Sequence, residues 1–233
     1  MRRVTTGAPT PRLDRSRHAA IQVLDHLRER IVALDLPPGM LLSRAELAAD
    51  FGVSQTPVRD ALMRLEEEGL VDVFPQHKTM VSRIDIRSAE QAHFLRRAIE
   101  LEVASTLASD PDALLVNRLR AAIERQRSAL ALPDYAEFAS ADQSFHRQMY
   151  DAARVPQLWD EVCRRSGHID RLRRLHLPVG GKAQAILRDH RRIVDAIARG
   201  DAEDAQRRVR EHLGGTLAHV AAIRARYPDY VTN

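Results

Sequence analysis

Long apolar runs are missing from this 233-residue sequence, and none approaches the roughly 18 consecutive residues needed to cross a bilayer. The opening stretch, Met1 to Pro11, has no hydrophobic segment of the kind that addresses a chain for export. Together these absences predict a cytoplasmic protein with no membrane partner. Cysteine is nearly absent as well. The single Cys163 excludes an intramolecular disulfide and any multi-cysteine zinc site, and reads as a small residue on a helix. A local excess of one charge is missing too: residues 1–85 carry 12 Lys and Arg against 12 Asp and Glu, although the whole chain stands at +4. A polyanionic partner would have to be met by placed basic groups, not by bulk charge. No repeat of solenoid period and no low-complexity tract interrupts the chain.

What is present suits a chain that folds: 44% hydrophobic and 29% charged residues, in a length that accommodates two cores. Arg2, Arg3, Arg12, Arg15 and Arg17 make a basic cluster, and residues 1–15 read as a flexible arm that either approaches nucleic acid or is simply solvated. From Ser16 to Leu34 the residues Ile21, Leu24, Leu27, Ile31 and Leu34 recur at steps of three and four, which predicts an amphipathic helix stopped by Pro37-Pro38-Gly39. Ser43 with Glu46 forms a capping box for a short helix that Gly52 closes. Ser54 caps the next, which accepts Pro57 in its first turn, runs to Glu68 and ends at Gly69. Two extended runs, Leu70 to Phe74 and Thr79 to Ile84, flank Pro75-Gln76-His77-Lys78 and predict a β-hairpin wing.

Beyond Asp85 to Arg87, where the domain boundary is expected, everything reads as helix. Ser88 with Gln91 and Asp134 with Glu137 are capping boxes, Asp110-Pro111 and Val155-Pro156 are starts, and Gly200-Asp201 is a stop followed by a new cap. Six helices follow, at about 89–109, 111–130, 135–152, 156–177, 183–199 and 202–226, with Pro178 to Gly181 as the clearest long loop. The expected fold is mainly α: a winged helix-turn-helix of three helices plus a wing over 16–85, and an all-helical bundle over 88–226.

In the first domain, Ala48 allows close helix approach, Gly52 makes the turn, and Val58, Leu62 and Leu65 anchor the second helix on the first. An ordinary helical hairpin has the same spacing; the wing and the polar set at the start of the second helix favour a DNA reader. Gln55, Thr56 and Arg59 lie where a recognition helix touches base edges, glutamine suiting adenine and arginine guanine, and the capping Ser54 before them belongs to the same DNA-binding set. Arg44 joins this set, with Lys78 as a phosphate contact; His77 either approaches DNA or is a solvated turn residue.

The block Leu36-Pro37-Pro38-Gly39, Glu46-Leu47-Ala48, Gly52-Val53-Ser54, Thr56-Pro57-Val58-Arg59 and Ala61-Leu62, continuing to Leu65 and Glu68-Gly69-Leu70-Val71, resembles the winged helix-turn-helix of GntR-family transcriptional regulators. The likeness spans about 17–84 and implies double-stranded operator DNA as partner. This chain has Gln55 where that family often has arginine, and Lys78 where it often has a wing glycine.

Ionisable residues sit within the apolar stripes of the helical half. Asp142 shares the face of Phe138, Phe145 and Met149, and His146 follows it by one turn; His190 falls between Ile186 and Ile193, and His212 between Val209 and Leu213. One inward histidine is usually a hydrogen-bonded core residue. Three of them with Asp142 make a set that suits zinc, nickel or another borderline divalent metal, with positions left for water or a ligand oxygen.

With Arg96-Arg97-Ala98-Ile99-Glu100, Asp142-x2-Phe145-His146, His190-x2-Ile193-x2-Ala196-Ile197, Gly200-Asp201 and His212-Leu213, residues 89–220 resemble the FCD ligand-binding domain of the FadR-type branch of that family. The resemblance implies that Asp142, His146, His190 and His212 are the metal ligands. It also implies a small carboxylate effector held partly by the metal and partly by arginine. Arg96 matches the motif position for a bidentate clamp; the competing reading is an i,i+4 pair with Glu100 on a solvated face. Arg171 and Arg174 are weaker effector candidates in a charge-rich stretch, and His168 and His176 are expected on the surface.

Three functions compete at this point: a ligand-responsive regulator acting as a homodimer on a pseudo-palindromic operator, a metal-dependent enzyme, and an architectural DNA binder with a structural metal. The chain shows no additional general base, such as a His-Glu-x-x-His helix would supply, and the enzyme reading gives a DNA-binding domain no role.

Overall fold

The structure, a computed structural model, describes residues 13, 14, 16–74, 77–131 and 134–232. Nearly all of the basic arm, including Arg2, Arg3, Arg12 and Arg15, lies outside the described residues, as do Pro75 and Gln76 of the wing. The chain forms two compact units, Met1–Arg83 and Ile84–Asn233.

The first unit contains α1 (Ala19–Val32), β1 (Leu41–Leu42), α2 (Arg44–Phe51), α3 (Gln55–Glu67), β2 (Val71–Phe74) and β3 (Lys78–Val81). Its core joins Val23, Leu24, Leu27 and Ile31 of α1 to Leu47, Ala48 and Phe51 of α2 and Val58, Ala61, Leu62 and Leu65 of α3. The local signals act where the sequence puts them. Ser43 Oγ accepts from the Glu46 N–H at 3.3 Å, and Gly52 closes α2 with φ 64°, in the left-handed region that glycine enters without a Cβ clash. The wing is an antiparallel hairpin in which Phe74 faces Lys78 and Val71 faces Val81. One strand was not expected: β1 adds to the far side of β3, giving the order β1-β3-β2, with Leu41 opposite Met80. A two-residue strand carries no periodicity of its own; it exists because its partner is there.

The second unit holds β4 (Ile84–Asp85), α4 (Ile86–Ser109), α5 (Ala113–Ala129), α6 (Tyr135–Ala152), α7 (Pro156–Arg165), α8 (Gly167–His176), α9 (Lys182–Ala198), α10 (Ala202–Gly214), a 3-10 turn (Leu217–His219), α11 (Val220–Arg226) and β5 (Val231–Thr232). The helices enclose a core running from Val103, Leu107 and Leu119 through Phe138, Phe145 and Tyr150 to Ile193, Ile197 and Leu213.

Four expectations need correction here. Asp85, not Ser88, caps α4, accepting from the Arg87 and Ser88 N–H groups at 2.8 and 3.2 Å, so the helix starts three residues earlier than 89. Asp112, not Asp110, caps α5. The helix expected over 156–177 is two: Ser166 turns its hydroxyl back to the Val162 carbonyl at 2.7 Å and α7 stops there. The helix expected over 202–226 breaks after Gly214, where Gly214-Gly215 removes two side chains' worth of helix preference. A parallel pairing of β4 with β5 closes the unit, with Ile84 opposite Val231; two-residue strands again left no pattern to read.

Candidate functional site

On the first unit, Gly52 and the buried Val58, Ala61 and Leu62 fix α3 so that its opposite face is free. Ser54, Gln55, Thr56 and Arg59 are all exposed there, as is Arg44 at the start of α2. The Ser54 hydroxyl makes no capping bond, which leaves it available. The Arg59 side chain is 59% exposed, and among the described residues its ion-pair partner is the neighbouring Asp60, at 3.2 Å. On the wing His77 and Lys78 are exposed, and the Lys78 ammonium lies 5.0 Å above the Phe74 ring, its partner across the hairpin.

In the second unit three helices deliver histidines to one buried point. His146 comes from α6, His190 from α9 and His212 from α10. One ring nitrogen from each lies within 4.8 Å of the others. His212 Nε2 is 3.3 Å from His190 Nε2 and 3.3 Å from His146 Nε2. Zinc–imidazole bonds of about 2.0–2.1 Å require ligand atoms roughly 3.0–3.4 Å apart in tetrahedral or octahedral geometry, and the two pairs that include His212 already stand at that separation.

A polar group lies behind each ring, and at His190 it makes a hydrogen bond. The Gln126 carbonyl oxygen of α5 lies 2.8 Å from His190 Nδ1 and can only accept, which puts the proton on Nδ1 and the lone pair on Nε2. The same Gln126 donates its amide to Asp142 Oδ1 at 3.1 Å. Glu100 Oε2 of α4 is 3.0 Å from His146 Nδ1, off the line of a straight hydrogen bond but close enough to favour the proton there. Asp189 Oδ2 stands 3.9 Å from His212 Nδ1. Such backing is how metal-binding imidazoles are oriented. Burial pushes both His146 and His190 below the ordinary histidine value, and for His190 the neighbouring His212 and His146 push further; neutral rings with converging lone pairs are what a cation needs.

Asp142 lies beside this cluster without joining its tight centre. Its Oδ1 is 3.5 Å from His190 Nε2, and its side chain is 23% exposed.

Arg96 is 5% exposed, and its Nε donates to Glu100 Oε1 at 2.5 Å. The i,i+4 pair therefore forms, but in the interior, not on a solvated face: the stripe of Ala89, Ala92, Arg96, Glu100 and Val103 faces inward. Burial alone would raise the Glu100 pKa; Arg96 and then His146 outweigh it and hold the carboxyl below the usual range. Arg96 Nη2 is buried without a hydrogen-bond partner, as is the Tyr150 hydroxyl, which feels the charges of Glu100 and Arg96.

Arg171 is fully buried; its Nε donates to the Gly167 carbonyl at 3.2 Å and its Nη2 lies 3.1 Å from His168 Nδ1. His168 and His176 are buried too, at 6% and 4% exposure, which corrects their expected surface position. After the break at Ser166 both lie on the buried stripe of α8, with Ile169, Leu172 and Leu175. The charge that reaches the cluster from α8 is Arg173, which feels Arg96, Asp142 and Glu100 while pairing with Asp170 at 2.8 Å.

Sequence reasoning missed Glu100, Gln126, Asp189 and Arg173 as neighbours of the histidines. Only Gln126 gave a signal, as a polar residue in the stripe of Leu115, Leu119, Ala122 and Ile123, where it is wholly buried.

The winged-helix half and the helical half with its buried histidines define a class, the one-component DNA-binding regulator. The family follows. Residues 19–81 match the bacterial regulatory proteins of the gntR family, and residues 91–215 match the FCD domain. A helix-turn-helix transcriptional regulator in an unstable DNA locus of Streptomyces ambofaciens is 39% identical over 204 residues, spanning 87% of this chain and 85% of its own. The transcriptional repressor RspR of Escherichia coli K12 is 29% identical over 209 residues, spanning 90% of this chain and 92% of its own. Among solved structures, E. coli McbR/YncC shares the fold with a TM-score of 0.75 at 19% identity, covering 91% of this chain and 99% of that one. The chain belongs to the GntR family and is a DNA-binding transcriptional regulator with an FCD domain. No described helix is long and apolar enough to cross a membrane.

Proposed function

We propose that this regulator binds its operator as a homodimer and senses a small carboxylate at a divalent metal, zinc or nickel, held by Asp142, His146, His190 and His212. The observation that carries the metal is the approach of three Nε2 atoms, with His212 in the middle at 3.3 Å from each neighbour. Without a cation, the Nε2 lone pairs of His146 and His190 compete for the one Nε2–H that His212 can offer; a metal can bind all three nitrogens. The carboxylate is supported by Arg96 Nη2 and the Tyr150 hydroxyl, two buried donors without acceptors next to the cluster. Arg96 has already given its Nε to Glu100, so it offers the effector a free Nη2 and not the full fork expected from sequence. Arg171, turned to Gly167 and His168, has less to support it as an effector residue. On the DNA side, Gln55, Thr56 and Arg59 read bases, while Arg44, Ser54, His77 and Lys78 meet the backbone.

The direct test is metal analysis of full-length protein purified without chelator. About one divalent ion per chain is expected, as a single four-ligand site requires, and it should be lost in a His190→Ala/His212→Ala double variant. Full retention of metal by that variant would make the histidines core residues and end the proposal.

A further inference from the structure

The polar surroundings of the histidine cluster continue past the metal-ligand set. Lys182 opens α9 eight residues before His190, a little over two turns away and on the same side of the helix. Gly215 follows His212 by three residues at the end of α10. These two places meet: a Cβ on Gly215 would stand 2.7 Å from Lys182 Nζ. Gly215 has φ −64°, an ordinary helical value that any residue adopts. Glycine at 215 therefore supplies room for the ammonium and not backbone freedom.

The Lys182 side chain is half-buried, yet among the described residues no carboxylate or other acceptor pairs with its ammonium. Beside it His176 is 4% exposed, and its Nδ1 has no hydrogen-bond partner. The His176 ring packs at 4.4 Å against His219, whose Nδ1 is committed to the Gly215 carbonyl at 2.9 Å. The acidic groups that Lys182 feels are Asp189 and Asp142, the same two that lie against His212 and His190. An ammonium without a counter-ion next to a buried imidazole without a partner is an uncompensated arrangement, and an anion resolves both.

We propose that Lys182 and His176, with the space left by Gly215, form an anion subsite next to the metal ligands, and that it takes the second acidic group of a dicarboxylate effector. This rests on the reading of the histidine cluster as a metal-bound carboxylate site. The metal end then recognises any small acid, and the Lys182 end selects those with two.

The test is calorimetric titration of zinc-loaded full-length protein at one pH with propionate, butyrate and valerate, and with malonate, succinate and glutarate. At least one diacid should bind about tenfold more tightly than the monoacid of the same carbon number, the gain of one charge-assisted contact. Lys182→Met should abolish that preference while leaving monoacid affinity, zinc content and operator binding unchanged. Gly215→Ala, which displaces Nζ but keeps the charge, should reduce the preference in the same direction. If diacids gain nothing over monoacids, or Lys182→Met keeps the gain, the subsite is refuted while the metal-bound carboxylate site stands. If no acid binds, or binding survives His190→Ala/His212→Ala, the underlying reading falls and this inference with it.

Discussion

A buried imidazole beside an ammonium group stays neutral. Burial first, then Lys182 and His219, push the His176 ring down to about 4 from an ordinary 6.5. An unfolded chain takes up this proton near pH 6.5 and the folded chain only near 4, so between these values the unfolded state binds more protons. The contribution is fully present above about pH 6.5 and is lost as pH falls towards 4, to a total of about 2 to 3 kcal/mol. In urea titrations at pH 7 and pH 4.5, wild type should lose more stability on acidification than His176→Gln. Equal losses would mean that the ring is protonated in the folded state and that Lys182 does not govern it.

At the scale of elements, α3 and the wing are proposed to do different work. Arg59 lies exposed on α3, paired with Asp60, whereas Lys78 sits at the wing above Phe74. Arg59→Ala should weaken binding to the native operator by about 1–3 kcal/mol and relax preference at one base position. Lys78→Ala should weaken binding to all sequences alike and lower the salt slope by about one unit. Fluorescence anisotropy across a salt series separates them, and unchanged operator affinity for Arg59→Ala would remove it from the reading set. These elements were legible because their signals are local: the Ser43 cap, the Gly52 turn and the inward Val58 and Leu62 each act within a few residues. The same holds for the face that carries His146. What stayed hidden depends on partners far along the chain: β1 needs β3, Glu100 meets His146 from another helix, and Gln126 reaches both His190 and Asp142. The break at Ser166 was hidden differently, since a serine in a helical stripe does not announce that its hydroxyl will turn back on Val162.

At the scale of the whole molecule, one chain carries the gntR-type DNA-binding domain in Met1–Arg83 and the FCD domain, the proposed sensor, in Ile84–Asn233. An effector bound in the second unit can alter operator affinity only by favouring one arrangement of the dimer over another, since equal affinity for both arrangements shifts nothing. The segment from Asp85 to Ser88 is where such a difference must pass along the chain: Asp85 pairs with Thr232 in the strand, caps α4, and gives its N–H to His168 Nδ1 at 2.9 Å. A coupling of about 1–3 kcal/mol, usual for allosteric systems, would change DNA affinity roughly 5- to 150-fold. Titrating small organic and sugar acids into an operator-binding assay should find an acid with such an effect on wild type. His146→Ala and Arg96→Ala should keep basal DNA binding, because both residues belong to the second unit, and should lose the response. His146→Ala removes a ring of the cluster; Arg96→Ala removes the Nη2 donor and leaves Glu100 without its cation. Since the second change also strips a buried ion pair and destabilises the unit, its thermal midpoint has to be followed alongside. Lysine at position 96 keeps the charge without the planar fork, and a partial response from Arg96→Lys with a recovered midpoint would separate ligand contact from folding. An acid that saturates wild type yet leaves operator affinity where it was would refute the switch, and the metal would then be structural.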